Sequence, residues 1–219
     1  MTQRGIFITF EGSEGCGKTT QIERLRAALE GMGRQVIVTR EPGGTPVGEQ
    51  IRHTLQHARE SENMTPEAEL LLFAASRAQL VRERIVPALE AGTDVLSDRF
   101  LDSTTVYQGV ARRLAAEDVA AINYFAVGGH LPDLTFVLDL DPAAARGRLE
   151  TRANPALDRI EREPLEFFER VRQGYLDLAK SEPERFRVLD ASQPAETIAG
   201  TVFHHVQELL HGLHARTSA

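Results

Sequence analysis

A single cysteine, Cys16, excludes an internal disulfide, and tryptophan is absent altogether. Long apolar runs are missing too: stretches such as Val36-Ile37-Val38 fall far short of the roughly 18 residues that span a bilayer, so no membrane partner is expected. The opening Met1-Thr2-Gln3-Arg4-Gly5 has neither the apolar stretch nor the small-residue cleavage site of a signal peptide, and a cytoplasmic location is expected. A net charge of −7 argues against a broad nucleic-acid footprint, so an anionic ligand must be held by a local basic cleft. Lysine is scarce. Of 25 basic residues only Lys18 and Lys180 are lysine, as in a chain of biased coding composition, which makes the placement of Lys18 inside a glycine loop informative.

No repeat, low-complexity tract or linker divides the chain, and 219 residues suit a single domain. Short β-like runs alternate with helical ones. Strands are predicted at 6–10, 35–39, 94–97, 134–138 and 186–189. Helices are predicted from Thr19 towards Gly31, from the Thr65-Pro66 cap to about Leu89, and over 117–127, 165–179 and 195–213. Strands joined by helical crossovers imply an α/β fold, a parallel sheet flanked by helices on both faces, with ligands beyond the carboxyl ends of the strands.

Gly12-Ser13-Glu14-Gly15-Cys16-Gly17-Lys18-Thr19 satisfies G-x-x-x-x-G-K-[ST], between a predicted strand and a predicted helix. In such a loop backbone N–H groups curl round a β-phosphate and the lysine reaches the β/γ oxygens; the Thr19 hydroxyl can ligate Mg²⁺, and Thr20 closes the ATP-binding set. Cys16 allows two readings, a small filler or a thiol acidified by the helix N-terminus. A guanine-reading N-K-x-D motif is excluded, because neither lysine follows an asparagine. The length leaves room mainly for a compact kinase.

Four further clusters accompany the loop: Thr39-Arg40-Glu41-Pro42-Gly43-Gly44-Thr45; Leu72-Phe73-Ala74-Ala75-Ser76-Arg77-Ala78-Gln79; Ser97-Asp98-Arg99-Phe100 continuing to Tyr107-Gln108-Gly109; and Leu157-Asp158-Arg159-Ile160-Glu161. With these motifs, from about Ile6 to Pro194, the chain resembles the thymidylate kinase family. The resemblance implies a P-loop NTPase-type domain over 1–219 with a short mobile lid at about 147–164, ATP and dTMP as substrates, Mg²⁺ as cofactor, and a homodimer through the long helices. It implies that Phe73 stacks on thymine and that Arg77, Arg40 and Arg99 converge on the acceptor phosphate. The bland readings are a helix core residue for Phe73 and surface ion pairs for the arginines. Gln108 and Thr104 would meet the pyrimidine edge, and Tyr107 would fill the space a ribose 2′-OH needs. Glu11 would touch the acceptor's sugar hydroxyl or the metal; Asp98 would orient Mg²⁺ water or hold Arg99; Glu161 would reach metal or acceptor through water.

A phosphate monoester is largely a dianion at neutral pH, so the nucleophile needs no general base. No catalytic histidine is expected, and the seven histidines read as surface or packing residues. The reaction needs alignment and cover for charge on the transferring group. Lys18 serves the donor side. In the family the transition-state arginine lies in the phosphate loop or in the lid, and a loop with Glu14 and no second basic residue points to the lid. Arg152 is taken as the principal finger and Arg148 as its helper. Two alternatives are a nucleoside monophosphate kinase of other base preference and a nucleotide-binding regulator without turnover.

Overall fold

A computed structural model describes residues 4–56, 63–151 and 157–217. Five strands form one sheet: β1 (Phe7–Glu11), β2 (Val36–Arg40), β3 (Asp94–Asp98), β4 (Leu134–Asp139) and β5 (Phe186–Asp190). Their order is β2-β3-β1-β4-β5, with every neighbouring pair parallel. The inner strands are almost wholly buried and the edge strands β2 and β5 only partly. That is why the inner strands read as near-continuous apolar runs, while β2 and β5 carry Arg40 and Arg187. The α/β expectation holds.

The described helices are α1 (Lys18–Gly31), α2 (Pro46–Gln56), α3 (Pro66–Leu80), α4 (Val86–Glu90), α5 (Leu101–Thr104), α6 (Ala116–Val127), α7 (Pro142–Glu150), α8 (Leu165–Ser181) and α9 (Ala195–Thr217). Two π-helical segments, Val81–Ile85 and Thr105–Ala111, extend α3 and α5. Thr65 caps α3, its hydroxyl accepting from Ala68 N, with Pro66 in the first turn as expected. Alternation along β1 builds two layers. Ile6, Ile8 and Phe10 pack with Ile22, Leu25 and Leu29 of α1 and with Ile198, Val202 and Val206 of α9. On the opposite face Phe7 joins Leu80, Ile85, Val95 and Phe100. Each such side chain contributes roughly 1.5–3 kcal/mol through burial. On that same face β1 carries Thr9, bonded to Thr135 Oγ1 at 2.8 Å, and Glu11.

The chain passes from β1 to β2 at one edge, returns to β3 between them, and then crosses to β4 beyond β1. A crevice therefore opens past the carboxyl ends of β1 and β3, the place where such sheets bind ligands.

Candidate active site

The chain leaves β1 at Glu11 and turns through Gly12–Gly17 into α1, whose first residue is Lys18. Gly12 and Gly15 adopt φ of 126° and 77°. A Cβ at these positions would stand 2.6 Å from Leu138 O and 2.7 Å from Ala145 O, so the loop can press against its neighbours only as glycine. Lys18 Nζ donates to Ser13 O at 2.9 Å and to Gly12 O at 3.3 Å, which holds the ammonium over the loop. Cys16 is buried, and burial pushes its thiol up despite Lys18 and Arg99. The acidified-thiol reading is therefore corrected: Cys16 fills the core beside Leu138.

A cavity of ≈ 430 Å³ runs from this loop across the strand ends. Glu14, Gly15, Gly17, Lys18, Thr19 and Thr20 line one end. At the other are Phe73 from α3, Thr104 from α5, and Tyr107 and Gln108 from the second π segment. Arg40 at the end of β2, Asp98 and Arg99 at the end of β3, and Arg148, Asp158, Ile160 and Glu161 also line the cavity. Widened helical turns recur at functional sites, and this one carries the adjacent Tyr107 and Gln108 into the same space.

Arg99 is the hub. Its backbone takes φ 70°, rare for a residue with a side chain and held by Arg99 N donating to Phe10 O at 2.9 Å and by Ser97 Oγ donating to Arg99 O at 2.7 Å. Its guanidinium donates to Glu14 Oε1 at 2.5 Å, Ser103 Oγ at 3.0 Å, Tyr107 Oη at 3.2 Å and Tyr175 Oη at 3.3 Å. Burial would raise the Glu14 carboxyl, but Arg99 and Lys18 outweigh it and hold the group at about 2. Burial would likewise lower Arg99, but Glu14 and the two phenols keep it well above its usual range. Arg99 is thus a permanent cation at the cavity wall.

Not every predicted residue meets the cavity with a free side chain. Arg77 is fully buried and is not part of the cavity wall, because its guanidinium is taken up by Glu41 Oε2 (2.8 Å), Asn123 Oδ1 (2.8 Å), Thr104 Oγ1 (2.9 Å) and Phe100 O (3.3 Å). Glu11 also lies behind the wall, accepting from Phe100 N at 2.8 Å, Ser103 Oγ at 2.6 Å and Tyr175 Oη at 2.8 Å. Gly12, Ser13 and Cys16 are buried within the loop. Arg40 is exposed and paired with Glu49, at 2.9 and 3.0 Å. Arg148 reaches from α7 to Ala191 O at 3.2 Å and Gly15 O at 3.5 Å. Arg152 lies outside the described residues.

Sequence reading missed Arg52 and Gln56, which line the cavity from α2. The signal was present: Thr45-Pro46 repeats the Thr-Pro start used for α3, and Thr45 Oγ1 accepts from Gly48 N at 3.0 Å. Ser103 and Tyr175 were missed as well, since only tertiary packing brings them to Arg99.

A sequence model described as thymidylate kinase matches residues 10–202. The chain belongs to the thymidylate kinase family. It is 49% identical to a thymidylate kinase of Bifidobacterium longum (strain DJO10A) over 207 residues, covering 94% of this chain and 98% of that protein. Against that of Deinococcus radiodurans identity is 50% over 209 residues, covering 95% and 99%, and against that of Desulfosudis oleivorans 52% over 200 residues, covering 89% and 93%. The family uses ATP as phosphoryl donor, in keeping with the loop at Gly12–Thr19. The thymidylate kinase motifs lie on the one crevice, except that the Arg77 side chain turns into the protein. No described helix is long and apolar enough to cross a membrane. A divalent ion suits the donor set: Thr19 and Asp98 both offer hard oxygen ligands to the cavity. No cluster of three or more acidic, histidine or cysteine ligands occurs among the described residues.

Proposed function

We propose that this chain phosphorylates dTMP to dTDP with Mg²⁺ and ATP by direct in-line transfer, in dTTP synthesis, through one cavity that takes both nucleotides. The observation that carries the reading is the continuity of that cavity from the phosphate loop to Phe73 and Gln108, with Arg99 between them. The ATP tail lies on the Gly12–Thr19 backbone with Lys18 on its β/γ oxygens; Mg²⁺, when bound, neutralises charge there, and Thr19 and Asp98 would hold it. The thymine stacks on Phe73 and offers its edge to Gln108 and Thr104. Arg99 and Arg40 receive the acceptor phosphate. Arg77 acts behind the wall, fixing Glu41 and Thr104, and Glu14 takes the sugar-facing place expected of Glu11.

No side chain needs to remove a proton, because the attacking phosphate is already a dianion. The protein aligns two anions that repel one another, and Arg99 must leave Glu14 in part to do so. Segment 147–164 is the lid of a single domain, closing to exclude water and bringing Arg152 to the transferring group with Arg148 alongside. The kinase works in the cytoplasm. Tyr124 and Phe125 on α6, 76% and 78% exposed, with Leu71 of α3, form an apolar face suited to a homodimer. An ADP-coupled assay tests the activity: dTMP with Mg·ATP should release ADP far faster than the monophosphates of cytidine or adenosine, and equal rates would defeat the assignment.

A further inference from the structure

We propose that Glu69 is a specificity-determining positioning residue: it locks the Gln108 amide with its carbonyl oxygen towards the cavity, so the base pocket takes a pyrimidine bearing N3–H and refuses one whose N3 is a bare lone pair. The proposal rests on the reading of this cavity as the dTMP site.

Glu69 lies on α3 one turn before Phe73 and is 1% exposed. A carboxylate so far from water is tolerated only when well partnered. Gln108 Nε2 donates to its Oε1 at 2.7 Å, Arg112 Nε and Nη2 donate to its two oxygens at 3.2 Å each, and Arg159 Nη2 donates to Oε2. Burial would raise this carboxyl, but those donors outweigh it and hold it below the usual range. At neutral pH it is therefore an acceptor only.

A carboxylate gripped by Arg112 and Arg159 decides which way the Gln108 amide faces. Turning the Gln108 amide over would set its carbonyl oxygen against a carboxylate oxygen with no proton between them, and would cost a charge-assisted hydrogen bond as well. The NH₂ group is committed to Glu69. The carbonyl oxygen, which has no donor among the described residues, is the group left for the cavity beside Phe73 and Thr104. Thymine and uracil present an N3–H donor to it. Cytosine presents a lone pair, and two acceptors repel.

Arg159 also donates through Nε to Leu55 O at 3.0 Å, and its neighbours Asp158 and Ile160 line the cavity. Loss of Glu69 therefore disturbs the lid segment for every substrate but changes base choice only through Gln108. The discriminating quantity is a ratio measured on one protein, kcat/KM for dTMP over kcat/KM for dCMP.

In Glu69→Gln a neutral amide can donate or accept, Gln108 is free to turn, and the ratio should fall about 10-fold or more, since a site reading a polar edge owes its discrimination to that hydrogen bond. A ratio within about twofold of wild type, including the case where both substrates decline together, would overturn the proposal. If Glu69→Gln does not fold, the wild-type protein decides through 5-methyl-dCMP, which keeps the methyl group and ring outline of dTMP but presents a bare lone pair at N3. It should compete at least about 10-fold more weakly than dTMP; equal competition would overturn the carbonyl orientation and the role of Glu69 with it. A wild-type chain that phosphorylates no dTMP would instead sink the reading of the site.

Discussion

Among the described residues, Arg99 is the one cation that donates to both Glu14 of the phosphate loop and the Tyr107 phenol, and replacing it with glutamine removes that charge. In the structure this guanidinium is spread over Glu14, Ser103, Tyr107 and Tyr175, with Cζ 5.1 Å from the Tyr107 ring centroid and only 13% of the side chain exposed. A charge-assisted hydrogen bond in such a place is worth about 1.5–3 kcal/mol, and a phosphate takes one or two of them. The loss should lie near 3–4 kcal/mol, roughly 10²- to 10³-fold in kcat/KM for dTMP. Repulsion acts in the same direction, since Glu14 would then face the incoming dianion with Lys18 alone offsetting its charge. ATP affinity, set by backbone amides and Lys18, should stay within about threefold. Arg99→Lys should recover part of the loss, because an ammonium restores the charge but not the planar fork. The assay is steady-state ADP release with dTMP varied, beside titration of an ATP analogue and a melting curve. Unchanged kcat/KM for dTMP, or equal losses for both nucleotides, would refute the reasoning.

Arg152→Ala should lower kcat by about 10²-fold with little change in KM, as a transition-state contact does; near-normal turnover would move the role to Arg148 or Arg159. Tyr107→Ala should raise turnover of ribothymidine monophosphate relative to dTMP, and unchanged selectivity would reject the steric gate. Burial, helped by Asp102, pushes the Glu11 carboxyl from 4.5 up to about 7. The folded chain then holds a proton the unfolded chain has released, so this contribution is whole below pH 4.5 and lost as pH rises through about 7. Glu11→Gln cannot ionise and should gain up to roughly 3 kcal/mol on wild type across that interval; parallel melting-temperature curves from pH 5 to 8 would contradict this. Phe125→Asp should convert a dimer to a monomer in light scattering, and an unaltered mass would place the interface elsewhere.

The sheet, the phosphate loop and most of the cavity were legible in the sequence because each rests on local chemistry. A glycine turn between a β-branched run and an amphipathic helix has one common outcome, and the Thr-Pro start of α3 is a local signal. What escaped was the direction in which long side chains point. Phe73 and Arg77 sit one turn apart on α3, yet only Phe73 reaches the cavity, because Glu41 and Asn123 draw Arg77 into the protein. The different placement of Glu11 and Glu14 has the same origin: strand alternation turns Glu11 beneath the wall, whereas loop geometry brings Glu14 to it. The Glu69 network joins α3, the second π segment and Arg159 from residues about 40 and 90 apart, a pairing no local pattern carries.

The most direct test of the shared cavity is calorimetric titration with a bisubstrate ligand, adenosine and thymidine joined 5′ to 5′ through a polyphosphate bridge. One molecule should bind per chain, more tightly than either nucleotide alone, and should be displaced by both ATP and dTMP. Two ligands per chain, or displacement by ATP alone, would contradict the account.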